Sequence, residues 1–107
     1  MRSLHQTLGL AALLLTAGAG LGGCAPYGAL CSAKMDCEGG NDADLDACVV
    51  DSETAEDVAY TYDCGDFWED FVACTDDRSR CSNNNFGPGD DCNAEANRLQ
   101  ECISKRR

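Results

Sequence analysis

Apolar positions follow two different rules along this chain. Near the start they are contiguous: Leu8 to Leu15 reads LGLAALLL and then gives way to the small residues Ala17 to Gly20. From Leu30 onward they are interleaved with polar residues at intervals of three and four, the period of short amphipathic helices. The first predicted helix runs from Leu30 to about Glu38 and is stopped by Gly39 and Gly40, which supply left-handed termination. Asn41 or Asp42 is the natural N-cap of the next helix, with Asp44 and Asp46 placed to favour its dipole. This second helical stretch extends to about Asp63, with room for a break near Ser52. Leu45, Cys48, Val49, Ala55, Val58, Ala59 and Tyr62 are expected on its inward face.

A third helix is expected from Asp66, with Glu69 completing a capping box and Phe67, Phe71 and Cys74 forming a stripe beside Trp68 and Val72. Aromatic residues at that spacing read as core. The run Ser82 to Gly89 contains three Asn, two Gly and Pro88, so the chain must turn there. Asp90 or Asp91 then caps a last helix carrying Cys92, Ala96, Leu99, Cys102 and Ile103, closed by Lys105, Arg106 and Arg107. The predicted fold class is all-α: a small bundle of short helices and helical hairpins.

The contiguous run has a different meaning. Arg2 followed by Leu8 to Leu15 is the layout of an export signal, and it falls well short of the roughly 20 apolar residues that span a bilayer. The segment Leu21-Gly22-Gly23-Cys24 that closes it resembles the lipobox of bacterial lipoproteins. That resemblance implies cleavage after Gly23, diacylglycerol on the Cys24 thiol and acylation, palmitate included, at the new N-terminus. Two or more acyl chains anchor stably where one gives only marginal binding. Ala25 stands where Asp would be the family's inner-membrane retention signal, so the resemblance points to the outer membrane. The expected organisation is a signal peptide over residues 1–23, a lipidated tether over 24–30 and a cysteine-rich helical domain over 31–107.

Nine cysteines are present, and assigning Cys24 to lipid leaves eight: Cys31, Cys37, Cys48, Cys64, Cys74, Cys81, Cys92 and Cys102. The 107 residues less the 23 of the signal leave 84, a length at which a hydrophobic core alone is marginal. An even set of thiols in a short exported chain reads as a disulfide framework. No two cysteines are separated by just two residues, and the lone His5 lies in the signal segment. Those facts argue against Cys/His zinc sites, c-type haem attachment, a redox-active pair and a histidine general base.

Nine residues separate Cys64 from Cys74, and nine separate Cys92 from Cys102. This resembles the helical hairpins with twin nine-residue cysteine spacings, in which outer and inner cysteines pair across an antiparallel turn. The resemblance implies Cys64–Cys102 and Cys74–Cys92 bridges, leaving Cys31, Cys37, Cys48 and Cys81 to pair among themselves. Cys81 and the long turn depart from that family, and its mitochondrial import role is not carried over.

Without the signal segment, 7 basic side chains face 19 acidic ones, a net charge of −12. Such a surface repels nucleic acid and anionic head groups, so membrane contact is expected through the lipid chains and not through surface charge, with another protein as the other expected partner. Asp42, Asp44, Asp46 and Glu53 occupy positions 1, 3, 5 and 12 of an EF-hand-like calcium loop, which gives an alternative reading as a calcium-dependent binding module. Against it, Ala47 replaces the turn glycine, Val50 is a poor ninth position, and the same acids suit a helix start without metal. Carboxylate pairs such as Asp66 and Glu69 are abundant but unsupported by histidine, a phosphate loop or a nucleophile elbow, so no catalytic residue and no cofactor is expected. The chain is similar in general character to the small cysteine-rich lipoproteins of Gram-negative bacteria. The function this implies is that of a membrane-anchored structural or protein-interaction module.

Overall fold

The computed structural model of the chain describes residues 27–107, so the signal segment and Cys24 lie outside the described residues. The described part is a small helical, disulfide-rich domain: α1 (Tyr27–Glu38), α2 (Asp42–Thr61), α3 (Gly65–Arg78), a hairpin of β1 (Arg80–Ser82) and β2 (Asn85–Gly87), and α4 (Asn93–Arg106). Four disulfides cross-link it. No described helix is long and apolar enough to cross a membrane.

Helix α1 begins at Tyr27, so residues 27–30 form its first turn and are not tether as expected. The cause is burial: Tyr27 and Cys31, four residues apart and therefore on one face, are both sequestered. The helix stops at Gly39, whose φ of +81° belongs to the left-handed region that costs glycine little. There the amides of Gly39 and Gly40 both donate to the Met35 carbonyl, at 2.8 and 3.1 Å.

Helix α2 opens with a reciprocal capping box. The Asp44 amide donates to the Asn41 side chain and the Asn41 amide donates to the Asp44 carboxylate, each at 3.0 Å. It runs without interruption past Ser52, whose hydroxyl donates to the Cys48 carbonyl at 2.9 Å. That continuity changes the inward face. At 100° per residue, positions 45, 48, 49, 52, 56 and 59 share one side, while 55 and 58 roll outward. Ala59 is accordingly fully buried, whereas Val58, expected in the core, is 39% exposed and Ala55 is exposed.

Helices α3 and α4 start one residue before and two residues after the aspartates expected to begin or cap them, with Cys64 and Cys92 as N-caps and no side-chain cap at either. The expected Asp66–Glu69 box does not form, because Glu69 accepts a hydrogen bond from the Tyr60 hydroxyl. Asp91 pairs with Arg80 at 3.0 Å, and Asp90 accepts from the Asn93 side chain at 3.3 Å. Both capping cysteines are bridged to the opposite helix, so cross-links fix the helix starts that capping side chains would otherwise fix.

The turn after Cys81 is a two-stranded antiparallel hairpin in the register Arg80–Gly87, Cys81–Phe86, Ser82–Asn85, an element the helical reading did not include. Asn83 and Asn84 both have positive φ, 52° and 62°, the conformation that a two-residue hairpin turn requires and asparagine tolerates. The core lies at the other end of the molecule. Tyr27, Ala59, Cys64, Trp68, Leu99 and Cys102 form it, with Val49, Tyr62, Phe67, Phe71, Val72 and Ile103 packed around.

Candidate functional site

The structure pairs Cys31 with Cys48, Cys37 with Cys81, Cys64 with Cys102 and Cys74 with Cys92. Each bridge joins two different elements: α1 to α2, α1 to β1, and α3 to α4 at both of their ends. The eight cysteines of the described residues therefore consume one another, and none of them pairs with Cys24.

Where the chain enters the domain, three side chains from three helices share one polar knot, buried at Tyr27 and Trp68 and half-buried at Glu56. The Tyr27 hydroxyl donates to the Glu56 carboxylate, and the Trp68 indole N–H donates to the Tyr27 oxygen at 2.8 Å and to Glu56 at 3.3 Å. The Tyr27 and Trp68 rings meet edge to face with centroids 6.2 Å apart. Burial, reinforced by the bond to the Glu56 carboxylate, pushes the Tyr27 phenol up to about 12. Nearby, the bond to Glu69 raises the Tyr60 phenol as well. The Tyr60 ring lies over Gly65, where a Cβ would meet it at 2.4 Å, so a side chain there would displace the ring. Tyr27 and Glu56 were not singled out by the sequence reading. The available signal was the interval of four between Tyr27 and Cys31, which marks a buried stripe beginning before Leu30.

The acidic segment does not form a calcium loop. Asp42, Asp44 and Asp46 lie in the first turns of α2 and Glu53 lies further along the same helix. Eleven helical steps lead from Asp42 to Glu53, about 16 Å along the axis, so the four carboxylates cannot converge on one ion. Asp44 is moreover committed to its cap. The side chains Cys74, Cys92 and Glu95 bring potential ligand atoms within 4.8 Å of one another, but both sulfurs are spent in a bridge. Asp66 is exposed, and Glu69 is engaged by Tyr60.

No family model, curated protein or solved structure matches the chain. Function therefore has to be read from the residues and their arrangement. Three open recesses lie among the described residues: about 550 Å³ between α1 and α2, bordered by Lys34, Met35, Glu38, Asp44, Asp51 and Ser52, about 360 Å³ beside the hairpin, bordered by Arg80 and Phe86, and about 330 Å³ between α3 and α4, bordered by Phe67, Arg98, Glu101, Lys105 and Arg106. In the first of these the Ser52 hydroxyl donates to the Cys48 carbonyl and Lys34 pairs with Glu38 at 3.8 Å.

Proposed function

We propose that the chain is a bacterial envelope lipoprotein, anchored through Cys24 to the outer membrane, whose domain is a structural or protein-interaction module and not an enzyme. The observation that carries this reading is the division of the cysteines. Eight thiols form a closed set of four bridges, and the ninth sits at the end of the lipobox-like Leu21-Gly22-Gly23-Cys24. Four cross-links in a domain of this size also suit an oxidising compartment outside the cytoplasm. The charge of the described residues, 19 acidic against 7 basic, gives a solubilising surface and leaves membrane attachment to acyl chains.

Intact-mass analysis of the protein extracted from membranes tests the reading in one measurement. The expected species begins at Cys24, carries glycerol and fatty acid, and lacks eight hydrogens for its four bridges. Cys24→Ser should appear in the soluble fraction. Native material that is free of fatty acid, or that reacts with thiol reagents without denaturation, would overturn the proposal.

A further inference from the structure

Cations are scarce on this domain and unevenly placed. Of the seven in residues 27–107, three lie on α4 and a fourth, Arg107, follows it directly. Arg98, Lys105 and Arg106 line the recess of about 330 Å³ that α4 makes with α3, with Phe67, Cys102 and the Glu101 carboxylate in its wall. Each has a carboxylate nearby: Glu95 at 3.6 Å from Arg98, Glu101 at 3.7 Å from Lys105 and Asp63 at 3.5 Å from Arg106. All three cations are half or more exposed in these pairs, and exposed pairs of that length hold their partners weakly. The lining itself carries these three cations against the one carboxylate of Glu101, on a domain whose remaining residues carry a large negative excess.

The recess also lies at the end of the molecule where the chain enters. Cys102 in its wall is bridged to Cys64, Arg106 reaches Asp63 in the turn between α2 and α3, and Phe67 adjoins Trp68, against which Tyr27 packs. Only Ala25 and Pro26 separate Tyr27 from Cys24. Three Cα steps span at most about 11 Å, so a lipid on Cys24 would hold this end against the bilayer and turn the Asn83–Asn84 hairpin away from it.

We propose that the α3–α4 recess binds the phosphodiester of an anionic phospholipid head group, orienting the anchored domain. The inference rests on the lipid-anchor reading for its choice of ligand. Long cationic side chains swing from their weak internal partners to the phosphate, and the Phe67 ring lies beside the glycerol backbone. Attraction that the domain's net charge opposes at a distance becomes favourable at contact, within a Debye length of about 8 Å.

The test titrates full-length, detergent-solubilised protein with three probes, followed by backbone amide shifts. They are dihexanoyl phosphatidylglycerol, dihexanoyl phosphatidylcholine and inorganic phosphate. The phosphatidylglycerol should give saturable shifts confined to Phe67 and to 98–106, with affinity at least ten-fold above the choline lipid. Arg98→Gln with Lys105→Gln should lower that affinity at least ten-fold, whereas Lys34→Gln with Arg78→Gln, an equal charge loss elsewhere, should leave it unchanged. Inorganic phosphate binding as tightly as the lipid would overturn the head-group assignment, and equal losses in the two double variants would overturn the recess. Because these probes are added in solution, the result is independent of whether Cys24 is acylated, which intact mass decides separately.

Discussion

The two ends of this domain are held by different physics. At the end where the chain enters, apolar and aromatic side chains from all four helices converge on Trp68 and Leu99, and the Cys64–Cys102 bridge is buried among them. At the hairpin end, β1 is exposed throughout and β2 is only half-buried. What holds it is the Cys37–Cys81 bridge, the Phe86 amide donating to Glu38 at 2.9 Å, and the Arg80–Asp91 pair. In the first region the bridge adds to a core; in the second it stands in for one. A disulfide restricts the unfolded chain by a similar amount in either place, so its value to the native state depends on what its neighbours lose when it is cut.

The sharpest test of that contrast is to remove each bridge in turn. Cys64→Ala with Cys102→Ala should destabilise the whole domain by roughly 4 kcal/mol from chain entropy alone. The lost packing adds to this in a denaturant titration followed by Trp68 fluorescence. A loss under about 1 kcal/mol would mean that the aromatic end does not depend on its cross-link. Cys37→Ser with Cys81→Ser opens a loop of similar length and so should cost about the same 4 kcal/mol of chain entropy, but without the added packing loss, because the hairpin can open while the core stays closed. Hydrogen exchange would show it: amides of 80–87 should lose protection while those around Trp68 keep theirs. Uniform loss across both ends would erase the distinction between them.

Tyr27→Phe comes next, at roughly 1 to 2 kcal/mol, because it removes a buried hydroxyl that both donates to Glu56 and accepts from Trp68. Its pH signature is specific. The Tyr27 phenol is raised in the folded state, so its neutral form contributes stability that is complete below the ordinary tyrosine value near 10 and fades as pH rises to about 12. Tyrosinate absorbance of the folded protein should show a component ionising near pH 12 that Tyr27→Phe removes. If the alkaline loss of stability persists unchanged in the variant, the polar knot is not its source.

Asn41→Ala, which deletes the α2 capping box, is expected to cost about 1 kcal/mol or less, since the cap is solvent-exposed. A thermal melt that does not move would show that the Cys31–Cys48 bridge already fixes that helix start.

Much of the helical layout was legible because it rests on local rules. The Gly39 stop and the Asn41 start depend on a few adjacent residues and were readable as such. The hairpin was harder to read: three-residue strands offer too short a run for alternation, although two consecutive asparagines between them are the residues such a turn favours. Val58 was placed inward beside Ala59, but the helix that continues through Ser52 buries Ala59 and turns Val58 outward. The calcium reading failed for a related reason: an acidic spacing serves equally as a binding loop and as a helix, and only the backbone decides which.

The sequence by itself determined the helical periods, the glycine and asparagine punctuation, the acidic balance and an even set of thiols beyond Cys24, since each is a property of neighbours along the chain. The twin nine-residue spacings already pointed to the Cys64–Cys102 and Cys74–Cys92 bridges that form; only the tertiary structure decided how Cys31, Cys37, Cys48 and Cys81 pair, that Tyr27 belongs to the core through Glu56 and Trp68, and that Arg98, Lys105 and Arg106 line one recess. Those facts depend on distances between residues far apart in sequence, set by how the helices pack and not by any short stretch of chain.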